Sequence, residues 1–402
     1  MAFIPQEIID AIIDEVQDSS PSPYYRHSNL SCCSLVCRSF LYRCRKHLFS
    51  SIALTSEGHR SWYTFHRVFK PSPEILPMIF SIALSSGNAY DAEEEILYTL
   101  LAAMCNLRHV KLSSGFQGNA VLSALRCHAN TIISLRFTDV TFQDSAAFLD
   151  FITAFPNLCF LAIKDLDYQE NMKGAQGRQC ESSRRLETFH FHASSYTRMA
   201  SFRELVDQGD IVASHSLRRC GVSLWNRDDI LRAKTILNDS LETLDNLHLI
   251  YNTQIKFCDI LDIFDFNLLN LPSLSITTFL PPNFRYTDMD EFEQGIGRCV
   301  LDEQLSLEEL TLRLYPKENS MTFATHSLWK VLDESLSSPL FPRFRHLKIE
   351  LIYSYPSGFT SDGMTQTIGK QFTALNERGD VQVNCRCSYG DFDDSLFRGL
   401  VL

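Results

Sequence analysis

One feature narrows the folds open to this chain more than any other: an apolar triplet that returns nine times. Its form is Leu-x-x-Leu-x-Leu, with Phe, Ile, Val or Cys also admitted. It stands at Leu107-Val110-Leu112, Ile132-Leu135-Phe137, Leu158-Leu161-Ile163, Leu186-Phe189-Phe191 and Leu217-Cys220-Val222. It continues at Leu244-Leu247-Leu249, Leu271-Leu274-Ile276, Leu307-Leu310-Leu312 and Phe344-Leu347-Ile349. The last two positions of each triplet are two apart, the spacing of a strand with one buried face. The first lies three residues earlier, where the chain turns into the strand. Such a chain grows by adding units, so its 402 residues need not divide into domains of ordinary size.

Between the triplets the pattern predicts helices at about 93–104, 119–130, 143–155, 197–213, 227–238, 256–269, 288–303, 325–336 and 362–378. Proline marks several helix-to-strand junctions, as in Phe155-Pro156-Asn157, Leu271-Pro272-Ser273 and Phe341-Pro342-Arg343. A helix has to stop there. Strands alternating with helices give an α/β fold with a parallel sheet. Successive triplets begin 25 residues apart at the closest (Leu107 to Ile132) and 37 at the widest (Leu307 to Phe344). The layout resembles the leucine-rich repeat, with units longer and less regular than the usual length of about 20–29 residues. The resemblance implies an irregular solenoid over residues 51–402, with a curved sheet on the concave side and helices outside. A doubly wound sheet is the competing fold, but it does not require the same triplet in every unit. Residues 47–54 and 75–84 read as first strands, Val381 to Cys387 as the last, and Asp391 to Leu402 as a tail or cap. The polar stretch from Asp167 to Arg185 lacks periodicity and is expected to be a mobile insertion.

The chain is 45% hydrophobic and 21% charged, which is ordinary for a globular protein, and its net charge is -11. A field of that sign argues against nucleic acid as the main partner. Its 13 cysteines are odd in number and scattered. They read as small buried hydrophobes in a reducing compartment, not as a disulfide framework. No run approaches the roughly 20 apolar residues of a membrane span. The first apolar stretch is interrupted by Glu7, Asp10, Asp14 and Glu15, unlike a signal peptide. A soluble protein of the cytoplasm or nucleus is expected, with no membrane partner.

Residues 1–50 have a character of their own. Pro5 suits a first helical position, and Ile8, Ile9, Ile12, Ile13 and Val16 follow at helical spacing. Asp18-Ser19-Ser20-Pro21-Ser22-Pro23 breaks that helix. A second helical region runs from about Asn29 to Leu48, with more apolar residues than one buried stripe accommodates. A segment of about 50 residues is a marginal core on its own. Part of this apolar surface therefore needs a cover, from the rest of the chain or from a partner.

Ile4-Pro5-Gln6-Glu7-Ile8-Ile9-Asp10-Ala11-Ile12-Ile13 resembles the opening of an F-box, and Ser34-Leu35-Val36-Cys37-Arg38-Ser39-Phe40 resembles its second half. Ile4 stands for the family's usual Leu and Phe40 for its usual Trp, and the connection around Pro21 to His27 is longer than usual. The resemblance implies a three-helix module that docks on an Skp-family adaptor and, through it, on a cullin scaffold. By the same carry-over Ile4, Pro5, Ile8, Ile9, Ile12, Leu35, Val36, Cys37 and Phe40 are the adaptor contacts or their immediate support. The bottom-up alternative is that these helices cap the first repeat, since solenoids need caps with a polar outer side.

Strand parity turns a second set of residues away from the core: His109, Lys111, Arg136, Phe160, His190, His192, Arg219, His248, Arg313, His346 and Lys348. Glu309 and Glu350 are the acids on the same side. An acidic chain thus gathers basic and titratable groups on its expected concave surface, where an unknown protein substrate with acidic or phosphorylated residues would be held.

Motifs for chemistry are sparse. Cys32, Cys33, Cys37 and Cys44 lack paired Cys-x-x-Cys hooks and fall within the apolar pattern of a helix. Cys385 and Cys387 share a strand face, and His190-x-His192 has no evident third ligand. Asp228-Asp229 and Glu308-Glu309 read as solvated faces or helix starts. There is no phosphate loop, dinucleotide fingerprint, nucleophile elbow or His-Glu-x-x-His. The expectation is a non-catalytic adaptor subunit of a ubiquitin ligase, with no metal or cofactor. A repeat scaffold whose F-box does not dock and a metal-independent hydrolase are the alternatives.

Overall fold

The computed structural model describes residues 4–19, 23–55, 61–70, 72–85, 91–113, 119–169, 186–194, 199–207, 216–238, 240, 242–251, 271–279, 306–315, 324–325, 327–353 and 361–389. They belong to two compact units, Met1–Arg184 and Arg185–Leu402. Among the described residues no helix is long and apolar enough to cross a membrane.

The first unit opens with three helices, α1 (Gln6–Ser19), α2 (Pro23–Ser34) and α3 (Arg38–Phe49). Strand β1 (Ser51–Thr55), helix α4 (Trp62–Phe69), a 3-10 turn at Pro73–Met78 and strand β2 (Ser81–Ser85) follow. The unit continues with α5 (Asp91–Ala103), β3 (His109–Ser113), α6 (Asn119–Arg126), β4 (Ser134–Phe142), α7 (Ser145–Thr153) and β5 (Phe160–Tyr168). Each strand pairs in parallel with the next in sequence.

The second unit contains β6 (Thr188–His192), α8 (Met199–Asp207), β7 (Arg219–Leu224), α9 (Arg227–Asn238), β8 (Asn246–Tyr251), β9 (Ser273–Phe279) and β10 (Glu309–Tyr315). It closes with α10 (Ser327–Ser337), β11 (His346–Tyr353), α11 (Ser361–Gly369), α12 (Thr373–Arg378) and β12 (Gln382–Tyr389). Pairing is again parallel and sequential. The strand order never reverses within either unit, as it would in a doubly wound sheet.

Every residue of the nine triplets is buried, from Leu107 to Ile349. The first residue of each closes the turn and the other two point inward from the strand. Successive repeats are tied by a recurring backbone device. The Phe80 carbonyl accepts the amides of Arg108 and His109, and the Arg108 carbonyl those of Ile133 and Ser134. In the second unit the Glu187 carbonyl accepts Arg218 and Arg219 in the same way, and the Glu308 carbonyl accepts Arg345 and His346. Side chains from the turns add further links, such as Asn106 Nδ2 to the Pro77 carbonyl at 2.7 Å and Asn157 Nδ2 to the Asn130 carbonyl at 2.8 Å. Both satisfy backbone carbonyls in the segment that precedes a strand of the neighbouring repeat.

Several boundaries differ from the sequence expectation. The helix expected over Asn29 to Leu48 is two helices, with Leu35 and Val36 at the corner and Cys37 in extended conformation before α3. The excess of apolar residues there reflects two stripes, not one. Pro23 to His27, expected in a connection, lies in α2, where a proline at the first helical position lacks only an amide the helix would not use. The strand expected over 47–54 begins at Ser51, because His47 to Phe49 complete α3. The helix expected over 362–378 is divided around the buried Phe372. Asp333 of α10 caps its second part, accepting the amides of Ala374 and Leu375 at 2.8 Å each.

Strands β4 and β5 extend past their triplets. Asp139 and Asp165 both take φ of 56°, a left-handed conformation that Asp tolerates better than most residues. They fall between matched pairs, Thr138 with Lys164 and Val140 with Leu166. The kink resets the alternation, so that Val140 and Phe142 point inward. Asp167 and Tyr168, expected in the insertion, close β5; residues 170–185 lie outside the described residues, as do the expected helices at 256–269 and 288–303 and the tail from Asp391.

Candidate binding surfaces

The helical module is held by a small interior. Ile13, Leu30 and Cys44 are buried, with Val16, Cys33, Phe40 and Leu48 packed against them. Burial pushes the Cys44 thiol up to about 11. A polar clamp joins α1 to α3. Arg43 Nε donates to Asp14 Oδ1 at 2.7 Å, and His47 Nε2 lies 2.6 Å from the same oxygen. The hydrogen bond from Arg43 holds the Asp14 carboxyl down at about 2. Gln6 Nε2 also donates to the Ser39 carbonyl at 3.2 Å, which brings the start of α1 beside the start of α3.

The candidate adaptor contacts divide by orientation. Ile9 is buried and Phe40 half-buried, facing the interior with Ile13 and Val16. Ile4, just before α1, and Ile8 and Ile12 on it recur every fourth residue along a stripe that flanks the buried one, and Ile8 is 52% exposed. Leu35 at the α2–α3 corner is 86% exposed and Val36 67%. Pro5 and Cys37 are exposed beside them, as is Cys32, contrary to the expectation that the cysteines here pack inside. Covering five aliphatic side chains of this kind stabilises a complex by about 1–2 kcal/mol each.

The sheet face opposite the triplets differs between the units. In the first, Lys111 is in register with Arg136, and His109 with Ser134. The Arg136 guanidinium stacks over the Phe160 ring, 4.8 Å from its centroid. Burial lowers the His109 imidazole from its ordinary value, and Arg108 and Arg136 lower it further. Lys111 is exposed.

In the second unit the expected open histidines are enclosed. His190, His192 and His248 are all buried. Their neighbours on adjacent strands explain why. A Cβ on Gly221 would lie 2.1 Å from His190 Nδ1, so the missing side chain lets that imidazole lie across β7. His192 Nδ1 is 2.6 Å from Ser223 Oγ, and His248 Nε2 is 2.8 Å from Thr277 Oγ1. Burial holds His248 neutral well below the ordinary imidazole range, and Arg313, His190 and His192 act in the same direction.

The cations further along are compensated. Arg313 Nε donates to Glu350 Oε2 at 2.9 Å, and Arg386 pairs with the other oxygen of that carboxylate. Lys348 Nζ donates to Glu309 Oε1 at 2.7 Å. His346 stands in register with Glu309, and Arg219 is exposed. Sequence parity found these residues but missed Gly221, Ser223 and Thr277, whose small size decides which way the imidazoles lie. Asp229, expected on a solvated face or at a helix start, is buried at the start of α9, where it accepts the amides of Trp225 and Asn226 and pairs with Arg203.

Among the described residues, no group of three His, Cys, Asp or Glu side chains is placed to hold a metal ion. No protein-family model matches the chain, and no curated protein matches it in sequence.

Proposed function

We propose that this chain is the substrate-recognition subunit of an Skp–cullin–F-box ubiquitin ligase, without catalysis of its own. The observation that carries the reading is the exposed row Ile4, Ile8 and Ile12 beside Leu35 and Val36, on a module whose interior is already filled by Ile13, Leu30 and Cys44. A terminal cap would bury one side and present a polar one; this module presents a second apolar side. The residues are those that the F-box resemblance assigns to the Skp-family adaptor. The repeats supply the other half of the function, holding a protein substrate near a ubiquitin-loaded enzyme, so that the contribution is proximity and not bond chemistry. Free thiols among the described cysteines suit the reducing cytoplasm or nucleus.

The test is co-expression with an Skp-family adaptor. The wild-type chain is expected to copurify with it as a one-to-one complex. Pro5→Asp together with Ile8→Asp is expected to abolish the complex with an unchanged melting temperature, because both side chains are exposed. A chain that elutes alone under all conditions contradicts the ligase reading and leaves a repeat scaffold that binds proteins for another purpose.

A further inference from the structure

The charges of the helical module are segregated. Helix α1 carries Glu7, Asp10, Asp14, Glu15 and Asp18 and has no Lys or Arg, whereas α3 carries Arg38, Arg43, Arg45 and Lys46 and has no Asp or Glu. Arg43 is neutralised by Asp14. Arg38, Arg45 and Lys46 make no ion pair among the described residues. The remaining acids of α1 are directed elsewhere: Asp10 accepts from Gln6 Nε2 at 2.8 Å, and Glu7 and Glu15 are exposed and pair with none of these cations.

The uncompensated cations share one side of α3. Arg38, Tyr42 and Lys46 follow one another at four-residue steps, and Arg45 is seven residues from Arg38, so all four lie along one stripe. The interior takes the other side of the helix, through Phe40, Cys44 and Leu48. Tyr42 is 66% exposed, Arg38 is exposed, and Arg45 and Lys46 are half-buried. Helix stability accounts for Lys46, in the last turn, where the helix dipole favours a cation. It does not account for Arg38, which opens α3 directly after Cys37, at the end where the same dipole disfavours a cation. A residue that breaks a local rule without compensation inside the chain is expected to serve function. Arg38 is also two residues from Val36 and three from Leu35, so the exposed apolar corner runs straight into the basic stripe.

We propose that the protein covering Leu35 and Val36 presents an acidic surface beside them, and that the stripe of Arg38, Tyr42, Arg45 and Lys46 reads it. Arg38, nearest the corner, donates charge-assisted hydrogen bonds to a carboxylate of that partner. The inference rests on the adaptor reading above and adds the chemistry that the adaptor brings to α3. The two surfaces divide the work. Burial of the apolar corner sets how long the complex lasts, and charges at its rim act on the rate and orientation of encounter. The net charge of the whole chain is -11, a field that repels an acidic partner. Local cations are therefore needed to draw one to this corner.

The test follows association and dissociation of the full chain with a purified Skp-family adaptor. Salt is varied from about 0.01 M to about 1 M, across which the screening length falls from about 30 Å to about 3 Å. The wild-type association rate is expected to fall as salt rises. Arg38→Glu with Lys46→Glu is expected to slow association about tenfold at low salt, to flatten its salt dependence and to leave dissociation nearly unchanged. Arg38→Lys should associate as wild type. Arg38→Glu alone should melt no lower than wild type, because an acid suits that end of α3; weaker binding then cannot be ascribed to unfolding. Lys330→Glu with Lys370→Glu, both exposed in the second unit, changes the net charge equally and should leave the rate as in wild type. The inference is overturned if association ignores salt, if the second-unit pair slows it as much, or if the Arg38 and Lys46 variant associates as wild type. A chain that self-associates at low salt without adaptor, and ceases to when Arg38 and Lys46 are reversed, assigns the stripe to the acidic α1 of a second copy and also overturns it. A complex that forms but is indifferent to these charges leaves the adaptor reading standing, whereas no complex at any salt removes both.

Discussion

The helical module and the strand repeats treat apolar side chains in opposite ways. In the repeats, all nine triplets are buried, and polar side chains from the turns tie one repeat to the next. In the module, Ile13, Leu30 and Cys44 are covered while Ile8, Leu35 and Val36 are left in water. The same chain therefore has the means to enclose aliphatic groups and leaves one set of them out. Scattered exposed apolar residues are normal, but a clustered set marks an interaction site. The contrast teaches that the repeats enclose their aliphatic side chains, whereas the module keeps a set of them in contact with solvent.

Substitutions can break that contrast. The largest effect belongs to Phe137→Ala. Its ring packs on Phe142, Phe148 and Phe151 at centroid distances of 5.6–6.1 Å, and the cavity is expected to cost about 3–5 kcal/mol, read as a lower urea midpoint. Ile8→Ala should shift the same midpoint by less than about 0.5 kcal/mol; equal costs would erase the distinction.

Next comes Gly221→Ala, which drives a methyl group into the His190 ring. Overpacking of this kind costs about 1–3 kcal/mol. Adding His190→Ala should recover much of the loss, and a double-mutant cycle measures the coupling. Without recovery, the explanation of why these histidines are enclosed is wrong.

The pH response sharpens the comparison further. His248 is held neutral by burial, so on acidification the unfolded chain takes up a proton before the folded one does. The second unit is expected to keep its full stability above about pH 6.5 and to lose it progressively below. His248→Asn should flatten that dependence in urea titrations at pH 7.5 and 5.5. In the module, Asp14 behaves at lower pH. Its carboxyl is held at about 2 against an ordinary 3.8, so its stabilisation is present above the ordinary value and fades as pH falls toward 2. Asp14 is more than a third exposed, and solvent screening limits the effect of Asp14→Asn to about 1 kcal/mol or less.

Much of this architecture was legible in the triplets, because a two-residue period with a preceding anchor has few other solutions. Arg227–Asn238 forms the helix expected there, and Leu107 to Ile349 are buried as patterned. The α2–α3 corner was not legible, since Leu30, Cys33, Leu35 and Val36 fit one long apolar pattern as well as two short ones. Parity placed His190, His192 and His248 on the right face but could not reveal that Gly221, Ser223 and Thr277 allow them to be enclosed. Nor could it pair Glu350 with both Arg313 and Arg386, because partners about 37 residues apart in sequence meet only once the register is known.

The central claim is that the apolar row of α1 and the Leu35–Val36 corner form a surface for an adaptor. Hydrogen exchange on the full chain, with and without a purified Skp-family adaptor, tests it most directly. The account predicts new protection confined to residues 4–12 and 35–40, with β3 to β5 unchanged. Protection elsewhere, or none at saturating adaptor, would contradict it.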